Sequence, residues 1–195
     1  MANLHNVTFL KSRDFVERGY GSRYTVDKVG PFIVGRSWQV SSPIPQDVVL
    51  ENRNVSTPHC FIVYHSWKFY LGDFGSNNGT SLNGYDVPNS LISKTFESSI
   101  SEPQKGMLNS VIWHKEDSSK LLFSTEPKLG VGIGLDDKQR EDYLKEFFYD
   151  RLREGKFRAN LIEENKVLNL RHKDIIGIVH YKLKFSEGIL ERIGL

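Results

Sequence analysis

The chain has 195 residues, 38% hydrophobic and 12% aromatic, which is enough for one domain with a real core and too apolar for a disordered composition. Lys and Arg number 26 against 24 Asp and Glu, a net charge of +2, so no global pull toward nucleic acid or membrane is expected. A single cysteine, Cys60, excludes an internal disulfide framework, and neither a secretory signal within Met1–Lys11 nor a membrane-spanning run is present, so the expectation is a soluble intracellular protein.

In chain order, Asn6–Leu10 predicts a first strand and Lys11–Ser22 a charged loop. Arg23–Asp27 and Phe32–Val34 predict strands, the second ending at Gly35-Arg36. The span 37–46 carries Trp38, Pro43 and Pro45 and predicts a long loop. Val48–Leu50 resumes a strand, and 51–54 is a turn. Cys60–Tyr64 and Lys68–Leu71 predict a hairpin around His65-Ser66-Trp67. Gly75–Gly79 is rich in Gly and Asn, where positive φ is cheap, and Asn83-Gly84 after Thr80–Leu82 is the strongest hairpin signal in the chain.

After Pro88 the pattern changes. Residues 89–104 are Ser-rich and mixed. Val111–Trp113 and Leu121–Phe123 predict a further hairpin, and 129–135 is Gly-rich. Residues 137–154 predict a helix, with Asp136 or Asp137 as N-cap, an apolar stripe around Tyr143, Phe147 and Phe148, and Gly155 as its stop. Strands return at Val167–Leu170, Asp174–Val179 and His180–Phe185, the last alternating cleanly; 186–195 reads as surface.

Three signatures sit at strand ends: Val34-Gly35-Arg36, Val55-Ser56-Thr57-Pro58-His59, and Asp73–Thr80, which runs on through Leu82 to Asn83-Gly84. A guanidinium offers a planar fork that matches phosphate oxygens. Ser56 and Thr57 supply hydroxyls and backbone N–H groups for the same oxygens. Asn77 and Asn78 offer donors and acceptors that can brace loops or grip a peptide backbone. Ser56 and His59 invite a hydrolase reading, but their spacing does not aim hydroxyl at imidazole and no Gly-x-Ser-x-Gly elbow surrounds Ser56. The loops therefore read as a phosphate-binding site, with no catalytic residue.

In this order and context the set resembles the forkhead-associated (FHA) domain: Gly35-Arg36, Ser56-x-x-His59, Gly75-Ser76-x-Asn78-Gly79-Thr80-x-x-Asn83-Gly84, and a closing segment Leu170–Ile178 with Lys173 where glycine is usual. The resemblance covers about 6–88 and 166–186. It implies an all-β sandwich of about eleven strands within a single domain over 1–195, interrupted by a mixed insertion at about 91–165 that contains one helix. It implies that Arg36, Ser56, Thr57, Asn77 and Asn78 hold a phosphothreonine peptide, that Gly35, His59, Ser76, Gly79 and Thr80 support the loops, and that Asn54 and the 37–46 loop bear on specificity. The implied partner is a phosphothreonine-containing protein in signalling, cell-cycle, DNA-damage or RNA-processing machinery, in a nuclear setting. No cofactor, metal, membrane or direct nucleic-acid contact is expected. Two competing readings are a phosphate-independent structural adaptor and the regulatory N-terminal domain of a larger protein kinase. Gly130–Gly134 mimics a nucleotide loop without a surrounding βαβ unit.

Overall fold

The computed structural model describes residues 21–36, 44–116 and 137–194. The strand expected at 6–10, most of the 37–46 loop, Leu121–Phe123 and the Gly-rich 129–135 lie outside the described residues. Eleven strands form two sheets: β1 (Arg23–Thr25), β2 (Phe32–Gly35), β3 (Val48–Val49), β4 (Cys60–His65), β5 (Lys68–Asp73), β6 (Thr80–Leu82), β7 (Tyr85–Asp86), β8 (Leu168–Leu170), β9 (Ile175–Ile178), β10 (Tyr181–Ser186) and β11 (Ile189–Gly194). One sheet has the order β1-β11-β10-β9-β6-β7, the other β3-β2-β4-β5-β8. The pairing is antiparallel throughout, except that β2 runs parallel to β3. The all-β sandwich is thus the observed architecture.

Strand composition explains which face of each sheet is covered. On β10, Tyr181, Leu183 and Phe185 are buried while Lys182 is exposed, so that sheet buries one face only. On β4, Cys60, Phe61, Ile62 and Val63 are all buried, a continuous apolar run that needs cover on both sides. Cys60 and Ile62 join Val34, Leu71, Ile176 and Leu183 between the sheets. Phe61 and Val63 point the other way and meet a helical layer.

That layer holds four helices: α1 (Lys94–Ser99), α2 (Glu102–Glu116), α3 (Asp137–Arg151) and α4 (Gly155–Glu163). Several expectations are corrected here. The insertion carries four helices among the described residues, not one. Val111–Trp113 lies inside α2 rather than on a strand. The helix starts where the Ser101 N–H and hydroxyl both donate to Gln104 Oε1 (2.8 and 2.9 Å), and Met107 and Leu108 bury against the layer. Helix capping and docking thus prevail over the β preference of Val and Ile. Gly155 opens α4 instead of ending a region. Residues 189–194 form β11, which pairs with both β10 and β1, because Leu190 is needed to fill the inter-sheet core.

Helix α3 spans nearly the predicted range. Its Phe148 is fully buried, with ring centroids 5.0–5.8 Å from those of Phe61, Phe74, Phe96 and Phe157. Phe147 is half-buried and Tyr143 exposed, its hydroxyl accepting a bond from Gln104 Nε2 at 3.2 Å. The aromatic stripe is therefore mainly core. The C-terminus of α4 pins α1, since the Glu164 carboxylate accepts from the Lys94 and Thr95 N–H groups (2.8 and 2.7 Å) and from the Thr95 hydroxyl.

Asn83 and Gly84 both take positive φ (53° and 86°), as a two-residue hairpin turn between twisted strands requires. Ser66 and Trp67 make the same kind of turn between β4 and β5. Lys173 sits at φ 73°, in the position where the resemblance leads one to expect glycine.

Candidate functional site

The β2–β3, β3–β4 and β5–β6 connections leave the same end of the sandwich, and the three signatures lie on them. Arg36 follows β2 directly. Its backbone N–H donates to the Ser56 carbonyl at 3.0 Å, and its Nη1 donates to the Arg53 carbonyl at 3.2 Å. A Cβ on Gly35 would overlap the Gln46 side chain and sit 3.2 Å from the Ser56 oxygen, so the close approach of these backbones requires glycine.

His59 is fully buried and joins two loops. Its Nδ1 accepts from the Ser56 backbone N–H at 3.0 Å, and its Nε2 donates to the Gly79 carbonyl at 3.0 Å. A backbone N–H only donates and a carbonyl only accepts, so the pair of bonds defines a neutral imidazole protonated at Nε2. The imidazole meets the Ser56 backbone, not its hydroxyl. That hydroxyl oxygen instead accepts from the Asn77 N–H at 3.1 Å. The Asn78 side-chain amide donates to the Asn54 carbonyl at 2.7 Å and ties the second loop to the third.

Asp73, buried at the end of β5, organises the third loop, a role the sequence reading did not assign to it. The Ser76 N–H and hydroxyl both donate to its carboxylate at 2.7 Å, and the Thr80 hydroxyl donates at 2.6 Å. The signal was present, since an aspartate just before a Gly-Ser-Asn loop is placed to accept from nearby backbone N–H and hydroxyl groups. Gly75 and Gly79 both take φ 70°. Below the loops lies Cys60, whose thiol pKa is pushed well up by burial and by the Asp73 charge, with the neighbouring Thr80 side chain acting in the opposite direction.

Between the loops opens a cleft of about 300 Å³. Arg36, Asn54, Ser56, Thr57, Asn77 and Asn78 line it. So does Arg53, which the sequence did not single out. Its far wall is a surprise: Lys138, Glu141, Asp142 and Lys145 of α3 face the same space. Among the described residues Arg36 has no carboxylate partner, and two buried polar atoms at the cleft, Arg36 Nε and Thr57 Oγ1, have no hydrogen-bond partner. Leaving such an atom unpaired is unfavourable by about 1–3 kcal/mol, so two of them in one place mark a polar site. No group of three or more His, Cys, Asp or Glu side chains suited to a metal occurs among the described residues. No helix among them is long and apolar enough to cross a membrane.

Residues 32–95, which contain all three signatures, match the FHA domain family. The match to the FHA family is confined to this stretch of the chain. No curated protein matches the chain. The FHA-2 domain of an ABC transporter from Mycobacterium tuberculosis is similar at 15% identity, over 98% of this chain and 94% of that one, with a TM-score of 0.38. An FHA domain from Chlamydia trachomatis is 28% identical over 32% of this chain and 57% of that one, with a TM-score of 0.26. The FhaA FHA domain, solved in complex with the intracellular domain of another protein, is 24% identical over 33% of this chain and 75% of that one, with a TM-score of 0.27. FHA domains are interaction modules, and the cleft between the loops is the candidate ligand site here.

Proposed function

We propose that this FHA domain binds a phosphothreonine-containing segment of a protein partner in the cleft between its three loops. The observation that carries the reading is the state of Arg36 and its neighbours. A guanidinium with no carboxylate partner among the described residues, a buried and unpartnered Nε, and the unpartnered Thr57 hydroxyl all line one polar cleft. A phosphate dianion supplies the acceptors such donors lack. In this reading Arg36 takes the phosphate bidentately and Ser56 donates its hydroxyl proton to it. Thr57 adds a donor, and Asn77 serves chiefly by holding Ser56 in place. Asn78 braces Asn54 while its amide oxygen accepts from the peptide main chain. Gly35, His59, Ser76, Gly79 and Thr80 hold the loops rather than the ligand. The partner's setting belongs to the same proposal and rests on the resemblance alone: nuclear signalling, cell-cycle or DNA-damage machinery.

The test is titration of fluorescent phosphothreonine peptides against the intact chain, read by anisotropy. A charge-assisted hydrogen bond contributes about 1.5–3 kcal/mol, so Arg36→Ala is expected to weaken binding by roughly ten- to a hundred-fold. One buried methyl group, about 0.8 kcal/mol, should favour phosphothreonine over phosphoserine by roughly four-fold. Equal binding of phosphorylated and unphosphorylated peptides, or binding untouched by Arg36→Ala, would overturn the proposal.

A further inference from the structure

The charged residues of α3 at the cleft recur at positions 138, 141, 142 and 145, the spacing that puts side chains on one face of a helix. The adjoining stripe, Leu144 and Phe148 with Leu152 just past the helix end, is buried in the apolar layer beneath. The orientation of the charged face is therefore set by packing. Phe148 is clasped by four aromatic rings, which holds α3 against β4 and presents its first three turns to the loops.

The four side chains are not equivalent. Lys145 is buried and its Nζ pairs with the Glu141 carboxylate at 2.7 Å. Asp142 is also engaged within the protein. Lys138 is exposed, one turn earlier on the same face, and has neither an ion pair nor a hydrogen bond among the described residues. The charged residues that the loops contribute to the same cleft are both cations, Arg36 and Arg53. The carboxylates of α3 do not reach Arg36, which argues against the helix acting as a built-in phosphate mimic.

We propose that α3 is a second recognition wall of the phosphopeptide site, and that Lys138 pairs with an acidic group beside the phosphate, so that the ligand class is phosphothreonine peptides with acidic flanks. This inference rests on the phosphopeptide reading above. It assigns a binding role to the insertion.

Three phosphothreonine peptide pools, with acidic, neutral or basic flanks, test it against wild type, Lys138→Ala, Lys138→Glu and Arg36→Ala of the intact chain. The readout is the ratio of affinities between pools for each protein. One exposed ion pair predicts a wild-type preference for acidic over neutral flanks of roughly two- to five-fold at low salt. Lys138→Ala should remove the preference, and Lys138→Glu should turn it toward the basic pool. Thermal melts of these variants should match wild type, because Lys138 is exposed. A ratio unchanged in Lys138→Glu, or a wild-type preference for basic flanks, overturns the inference. If Arg36→Ala then still abolishes binding of every pool, the phosphopeptide reading stands without it. If unphosphorylated peptides bind equally well, both fall together.

Discussion

The loop wall of the cleft is held by polar bonds among residues at the cleft itself. Asp73 gathers Ser76 and Thr80, His59 ties Ser56 to Gly79, and Asn78 ties the third loop to Asn54. The helix wall is held by apolar packing of Leu144, Phe148 and Leu152, which extends up to roughly 20 Å from Lys138 at about 1.5 Å per helical residue. The difference matters for how each wall fails. Polar bonds are directional and local, so losing one loosens one loop. Apolar packing is shared, so losing its centre moves a whole face.

The largest effect expected from breaking this contrast is at Phe148. Phe148→Ala removes a ring from the centre of five aromatics and should destabilise the fold by about 3–5 kcal/mol in urea unfolding. Hydrogen exchange should rise in α3 while the bonds around Asp73 stay protected. Next comes Asp73→Ala, which leaves Ser76 and Thr80 without their acceptor and should destabilise by about 2–3 kcal/mol, with faster exchange confined to 73–80. A smaller effect sharpens the contrast from beneath the loops. With its pKa raised by burial and by Asp73, Cys60 stays a thiol in the folded state, so iodoacetamide at pH 8 should label it only through opening. The sign follows: its contribution to stability is complete below the ordinary thiol pKa and declines as pH rises above that value, because only the unfolded chain ionises readily. Asp73→Ala should speed the labelling, whereas a variant that disturbs only α3, such as Glu141→Gln, should not. The smallest effect is a control away from both walls. Lys173→Gly relieves a side chain held at φ 73° and should raise stability by about 1 kcal/mol, leaving peptide affinity unchanged.

Much of the sandwich was legible because its signals are local. The continuous run Cys60–Val63 and the alternation Tyr181–Phe185 each state how many faces of a strand are buried. Asn83-Gly84 states its turn because both positions need positive φ. The loop residues were legible through residue types that suit phosphate. Val111–Trp113 misled because β-branched residues favour strands only when no capped helix already runs through them. The 189–194 segment was passed over although the two-residue turn Glu187-Gly188, both at positive φ, joins it to β10; its other partner, β1, lies at the far end of the chain, where no local pattern points to it.

The amino-acid sequence by itself determined the β-rich class, the order of the three loop signatures and the choice of Arg36, Ser56 and Asn78, since each depends on residue type and short spacing. Only the tertiary structure decided that Asp73 is the organiser of the third loop and that Lys138 lines the same cleft as Arg36. The charged stripe on α3 is visible in sequence as a polar face and nothing more. Which neighbour that face meets depends on where Phe148 docks, and that is settled by packing between residues nearly ninety positions apart, from Phe61 to Phe148.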